Sequence, residues 1–277
     1  MKSTACRLLT IGAFLTGLPL FAQTRASDLA NLRHWTGQGV APVYEGFDIN
    51  PDGSYNMWFG YMNRNYEEEL EVPAGADNKF EPGPADRGQP THFDTRRHKD
   101  VFRVVVPKDF GENNKLVWTL TVRGKSESIA ATLNQVWQID INRTTRGGNS
   151  QAIDSNHPPV VTAQPTTLSL AQSGAAKISI SATDDGLPKR RGETIGMTVE
   201  WEKYRGPGAV TFSQGKQPLK DGKADVTASF SAPGSYLLMA VVDDGSGESA
   251  GNFGYHCCWT NVLVTVNVTG GGATGGR

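Results

Sequence analysis

The chain has 277 residues, with 27 Lys plus Arg against 28 Asp plus Glu, so it carries neither a basic stripe for nucleic acid nor an acidic solvating arm. That length suits two ordinary domains, each burying its own core. With only three cysteines a disulfide framework spanning both domains is excluded, so each must stand on packing.

Residues 1–24, MKSTACRLLTIGAFLTGLPLFAQT, place Lys2 and Arg7 ahead of an apolar run from Leu8 to Phe21 that breaks at Ala22 and Gln23. This is the pattern of a secretory signal peptide. The run is shorter than the roughly 20 apolar residues of a spanning helix, and Pro19 interrupts it. Cys6 precedes the run, so it is not a lipoprotein's acylated cysteine and leaves with the signal. Cleavage near Ala22 to Ala26 predicts an exported protein, periplasmic, extracellular or at the cell surface, with no transmembrane span in the mature chain. Losing Lys2 and Arg7 leaves 25 basic against 28 acidic residues, a formal charge of −3.

A turn is expected near Ser27 to His34. Residues 28–142 then read as an N-terminal β-sandwich domain. PVYEGFDI and SYNMWFGYM flank the tight turn Asn50 to Gly53 as a hairpin, and VFRVVVP, KLVWTLTVR and TLNQVWQIDI supply later strands. Between them, Pro73 to Asp100 reads as a long polar connection rich in Pro and Gly. Residues 143–157, with paired Gly and few apolar side chains, read as a linker. Beyond it, apolar residues alternate with polar ones in AKISISAT, MTVEWEKY, ADVTASF, SYLLMAVV and NVLVTVNV, the period-two pattern of an antiparallel sandwich. Residues 269–277 form a Gly-rich tail.

Within residues 158–268, the stretches PPVV, the DDG after ISISAT, VEWEKYRGPGAVTFS, ASFSAPGSYLLMAVVDDG and NVLVTVNV resemble a polycystic-kidney-disease (PKD) type domain. Such domains are a branch of the immunoglobulin-like sandwiches common in exported bacterial proteins. The W-x-x-x-x-G-P-G and A-P-G-x-Y elements carry the resemblance, which implies a spacer, adhesion unit or substrate-contacting module rather than an enzyme. The fold class is therefore all-β, two β-sandwiches in tandem, the second PKD/immunoglobulin-like. Trp201, with Val199 on its face, suits the buried Trp of strand C, and Tyr236 suits the E-F corner tyrosine. Leu238 stands where disulfide-bearing members have cysteine. If Tyr236, Leu238, Ala240 and Val242 face the core, Leu237, Met239 and Val241 face outward and require a cover. The candidates are the first domain, a partner protein, or the loop Asp243 to Thr260, whose Phe253, Tyr255 and Trp259 are expected to fold over the strip or wedge it against the first domain.

Asp184–Asp185 and Asp243–Asp244 sit in the loops after strands B and F, which lie at one end of such a sandwich. As turn residues they would bond their own backbone, with Gly186 and Gly245 supplying positive φ and Lys189, Arg190 and Arg191 balancing the charge. As ligands, their carboxylates and the loop carbonyls would suit calcium, the one cofactor the sequence suggests. Acid/base catalysis has no pocket, nucleophile or histidine tied to these loops. His92, Asp94 and His98 are of zinc-ligand type, but Arg96 and Arg97 between them, in a segment read as loop, favour solvent-facing or structural histidines. On the hairpin, Tyr55, Trp58 and Tyr61 could stack on sugar rings beside amides, although a strand buried on both faces would show the same aromatics. Cys257 and Cys258 could close a vicinal disulfide, stay reduced or bond another chain; the C-x-x-C of redox enzymes is absent, as are G-x-S-x-G, H-E-x-x-H and a phosphate loop. The sequence thus points to an exported, non-enzymatic interaction or surface-structural module. A carbohydrate-binding protein comes next, and a polysaccharide-acting enzyme or accessory module third. Its partners would be protein or polysaccharide.

Overall fold

The computed structural model describes residues 33–139, 156–187, 189–190, 193–194, 196–245 and 258–270. The expected signal segment, most of the expected linker, Arg191, Cys257, Phe253, Tyr255 and nearly all of the expected tail lie outside the described residues. So do all but the last two residues of the turn expected at Ser27 to His34. No helix among the described residues is long and apolar enough to cross a membrane.

The N-terminal strands are β1 Val40–Ile49, β2 Tyr55–Asn63, β3 Leu70–Glu71, β4 Asn78–Glu81, β5 His92–Phe93, β6 Arg96–Val106, β7 Leu116–Val122 and β8 Lys125–Ala131. They pair in the orders β1-β2-β6, β4-β7-β8 and β3-β5, all antiparallel. The first hairpin closes as the sequence predicts: Gly53 N donates to Asn50 O (2.9 Å), and Asp52 Oδ1 accepts from Ser54 N (2.9 Å). Apolar side chains from the two three-stranded sheets meet in an aromatic core. Phe59 stacks on Phe102 at 5.5 Å and Phe80 on Trp118 at 5.8 Å, close to the separations at which ring pairs add to area burial.

Two expectations for this half are corrected. The Pro73 to Asp100 stretch is not a plain connection: it contains β4, β5 and the start of β6. Its polar residues are the scaffold, since buried Asn78 donates to Val72 O (2.9 Å) and Pro90 O (2.8 Å) and accepts from Trp118 Nε1 (2.9 Å), so its amide replaces ladder bonds that the short strands lack. Among the described residues the last strand of this half is Lys125–Ala131, and residues 132–139 of TLNQVWQIDI form none. Arg123 and Gly124, both at positive φ (53° and 72°), make the two-residue turn that suits a twisted hairpin, and the later segment holds a 3-10 turn at Gln135–Trp137.

The C-terminal strands are β9 Val160–Gln164, β10 Thr167–Ala171, β11 Ala176–Thr183, β12 Lys189–Arg190, β13 Glu193–Thr194, β14 Thr198–Arg205, β15 Val210–Phe212, β16 Lys216–Pro218, β17 Lys223–Phe230, β18 Gly234–Asp243 and β19 Trp259–Thr269. One sheet runs β10-β19-β18-β14-β16 and the other β15-β17-β11-β9, with a small β12-β13 hairpin. β10 pairs parallel with β19 while β9 pairs antiparallel with β11. The first strand is thus shared between two sheets, as in immunoglobulin-like sandwiches.

The landmarks of that fold are in place. Trp201 is buried and stacks on Phe212 at 6.0 Å. The Tyr236 hydroxyl donates to Ala232 O four residues upstream (2.7 Å), and Leu238 is fully buried. Gly206 explains the G-P-G element: at φ +150°, a Cβ there would lie 2.0 Å from Tyr236 Cδ1, so only glycine lets the chain pass the tyrosine.

The outward strip of β18 is covered by the N-terminal half. Met239 is only 3% exposed, and with Tyr204 it belongs to the aromatic core of β1 to β8, against which Leu237 and Val241 also pack. Polar bonds line the same junction. Thr91 N donates to Tyr204 O (3.1 Å), Asn261 Nδ2 to Asp100 O (2.9 Å), and Arg205 grips Asp86 with two nitrogens (3.0 and 2.8 Å), the strong bidentate form. The described residues from His34 onward accordingly form one compact unit. Trp259 opens β19 and is half-buried.

Candidate functional site at the junction

The two aspartate loops converge. Asp184 is held above the usual carboxylate range, first by burial and then by the charges of Asp185 and Asp244. Each loop uses its carboxylates as turn caps: Asp184 Oδ2 accepts from Gly186 N and Asp185 Oδ1 from Leu187 N, both at 2.9 Å, and Asp243 Oδ1 accepts from Gly245 N (2.5 Å). They also fasten the incoming chain. Buried Asn156 donates to Asp244 Oδ2 (2.9 Å), and His157 N donates to Asp185 Oδ2 (2.9 Å). A histidine is therefore tied to these loops after all, its Nδ1 being 3.2 Å from the same oxygen. The Asp184 Oδ1 atom is buried without a hydrogen-bond partner.

The hairpin aromatics do not form one surface. Tyr61 is a core residue, 2% exposed, packed against Phe93 and stacked on His98 at 4.8 Å, so its ring cannot meet a sugar; its hydroxyl accepts from Asp94 N (3.1 Å). Tyr55 packs edge-on against Phe47. Trp58 alone turns to the other face, where its indole N–H donates to Asp48 Oδ2 (2.5 Å) and the Arg103 guanidinium lies 5.4 Å over its ring. There it shares with Trp259, Asp48, Tyr204 and Leu263 a groove of about 700 Å³ between the two halves.

On another side of the junction, a cleft of about 690 Å³ is lined by Glu69, Glu71, His92, Asp94, His98, Glu202 and Lys203, among others. β3 and β5 put Glu71 directly opposite His92. His92 is 5% exposed; its Nδ1 is 2.7 Å from Glu71 Oε1, and its Nε2 is 3.2 Å from Asp94 Oδ1 and 3.5 Å from Glu69 Oε2. Lys203 from the sandwich completes the set by pairing with Glu71. His98 faces elsewhere, with Nδ1 3.4 Å from Glu202 Oε1 and Nε2 3.1 Å from Thr95 O. Burial opposes charge on both imidazoles, but the carboxylates outweigh it: Asp94 and Glu71 bring His92 up to about 9, and Glu202 does the same for His98. Of the two alternatives for these histidines, solvent-facing loop residues are corrected and structural ones fit, since His92 is buried and His98 half-buried on strands. Arg96 lies over the Tyr66 ring at 4.0 Å and Arg97 pairs with Glu45, so both arginines are engaged away from His92. Glu69, Glu71 and Glu202 were missed in the sequence because strand pairing and the junction, not spacing, bring them in.

Cys258 is fully buried and disulfide-bonded, with its partner outside the described residues.

No protein-family model matches the chain, and no curated protein matches it. Among solved structures it is similar to WR4, a C. elegans MSP family member, at 9% identity over 39% of this chain and 97% of that one, with a TM-score of 0.29. The D00-D0 domain of Intimin is similar at 13% identity, covering 82% of this chain and 99% of that one, with a TM-score of 0.27. The Yersinia pseudotuberculosis adhesin InvE is similar at 12% identity over 83% and 58%, again at 0.27. The immunoglobulin-like character of the C-terminal half lies in its strand order and its tyrosine corner.

Proposed function

We propose that the chain is an exported, non-enzymatic module that acts through its surface, as an interaction or structural unit, with a PKD-type domain over residues 158–268 and an N-terminal domain over residues 28–142. The observation that carries this reading is the junction. A strip of β18 that a free sandwich would leave bare is built into the aromatic core of the N-terminal half, and Arg205–Asp86 and Lys203–Glu71 tie its rim. Such a junction suits a stiff unit that presents a fixed surface, rather than two lobes that close on a substrate. Calcium at Asp184, Asp185, Asp243 and Asp244 belongs to this reading as a structural ion.

The second reading is carbohydrate binding. It is favoured by the groove in which Trp58 and Trp259 stand beside Asp48 and Arg103, aromatic rings next to polar groups that could orient a ligand. Retention on a panel of polysaccharides, wild type against Trp58→Ala, decides between the two. The module reading expects no retention by either protein. The carbohydrate reading expects retention that Trp58→Ala abolishes with the melting temperature nearly unchanged, and turnover of a retained polysaccharide would favour the enzyme instead. Export is read by sequencing the N-terminus of the protein recovered outside the cytoplasm, with cleavage expected near Ala22 to Ala26.

A further inference from the structure

We propose that Glu69, His92 and Asp94 form a binding site for a divalent transition metal of the zinc class, with Glu71 orienting the imidazole. The donor atoms of these three residues lie within 4.8 Å of one another, and they are the one such group of His, Cys, Asp and Glu among the described residues. The spacing fits the metal. Four ligands at bond lengths of about 2.0–2.1 Å in a tetrahedron stand roughly 3.4 Å apart, and His92 Nε2 lies 3.2 Å from Asp94 Oδ1 and 3.5 Å from Glu69 Oε2. Closing these atoms on an ion needs only small side-chain rotations.

The arrangement behind the ligands is the one that zinc sites use. A metal-bound imidazole gives its second nitrogen to a carboxylate, which fixes the tautomer and the ring plane. Glu71 Oε1 stands 2.7 Å from His92 Nδ1 in that role, and Lys203 in turn pairs with Glu71 rather than with a ligand. His92 is almost wholly buried, while Asp94 and especially Glu69 remain accessible, with side-chain exposures of 5%, 29% and 61%. The site is anchored at the nitrogen and open at the oxygens, so the fourth position faces the cleft, where water or an anionic ligand would complete the shell. The charge repulsion that the sequence suggests is removed, because Arg96 and Arg97 are taken up by Tyr66 and Glu45. His98 drops out of the ligand set, since its ring nitrogens face Glu202 and the Thr95 carbonyl.

The test is calorimetric titration of untagged, chelator-treated full chain with zinc chloride, with Co²⁺ absorption as a second reading of the ligand field. The expected result is uptake at one ion per chain with micromolar or tighter affinity, and a Co²⁺ spectrum of four- or five-coordinate type. Glu69→Gln, at the exposed edge where folding is not at stake, should weaken binding at least tenfold, and His92→Gln should do so more severely. Glu71→Gln should weaken it 10- to 100-fold without altering the stoichiometry, while His98→Gln should leave affinity within about twofold. Absence of saturable uptake up to millimolar zinc overturns the proposal. So does uptake that is unchanged in Glu69→Gln and Asp94→Asn, since the ion would then be held elsewhere.

Discussion

Met239→Ala tests the junction most directly. Met239 is 3% exposed and lies in the N-terminal core although it belongs to a strand of the sandwich. Truncating a buried methionine costs about 2–5 kcal/mol, the transfer loss plus the cavity left behind. Its ladder partner in β19, Leu263, is 44% exposed and serves as the control. Leu263→Ala removes a side chain of similar size from the same sheet, yet should cost well under half as much, because much of its surface is already in water. Urea unfolding followed by the summed fluorescence of the six tryptophans, which include Trp118 in the N-terminal core and Trp201 in the sandwich, is suited to the comparison. Met239→Ala should lower the midpoint, and in a chain of this size each kcal/mol corresponds to roughly 2–4 °C of melting temperature. A stability within about 0.5 kcal/mol of wild type, or a change no larger than that of Leu263→Ala, would mean that the strip is bare and the argument from the junction fails.

Three further outcomes are expected. His92 and His98 rise from an ordinary 6.5 to about 9 in the fold, so the stability they contribute, roughly 3 kcal/mol apiece by linkage, is fully present below pH 6.5 and lost as pH rises through 9; urea midpoints of metal-free protein should fall across that window, and a flat profile refutes the pairing. Gly206→Ala combines a disallowed φ of +150° with a Cβ 2.0 Å from Tyr236 and should cost 3 kcal/mol or more; a variant that melts like wild type would remove the explanation of the G-P-G element. Calcium bound only by the folded state adds about 2.7 kcal/mol when its free concentration is 100 times the dissociation constant, so superimposed melts in chelator and in millimolar calcium would leave the aspartate pairs as turn caps alone.

The C-terminal half was legible because its local and global signals agree. Ala176–Thr183 alternates buried and exposed without a break, and that alternation is written in AKISISAT itself. The N-terminal half hid its later strands for physical reasons. β4 and β5 are four and two residues long, too short for a period to register, and Asn78 holds them by side-chain amide bonds rather than by apolar pattern. β8 is mostly exposed, so KSESIAA presents an edge's polarity, and only the positive φ at Arg123 and Gly124 reveals the hairpin. TLNQVWQIDI imitates a strand by composition, yet Asn134 caps a 3-10 turn there, its side chain accepting from Val136 N (3.0 Å).

The candidate site divides along the same line. Residue type alone singles out His92, Asp94 and His98, and Arg96 and Arg97, close by in sequence, argue against all three. In the fold, proximity along the chain misleads: β5 pairs with β3, which brings Glu71 to His92 across 21 residues, while β6 carries the arginines to Tyr66 and Glu45. Lys203 and Glu202 arrive from the other half of the chain, through the junction that covers Leu237, Met239 and Val241, a strip whose alternation requires a cover without choosing among the first domain, the loop and a partner. The apolar strip was therefore the informative signal even for the polar site. Whatever covered that strip had to bring its own rim against β14, and on this chain the rim carries Glu71, His92 and His98. Unseating Met239 should consequently disturb the histidines as well, lowering the pH at which His98 releases its proton by separating it from Glu202. NMR titration of the His98 ring in Met239→Ala reads this directly. An unchanged titration in a clearly destabilised variant would show that the packed strip and the charged rim are held independently.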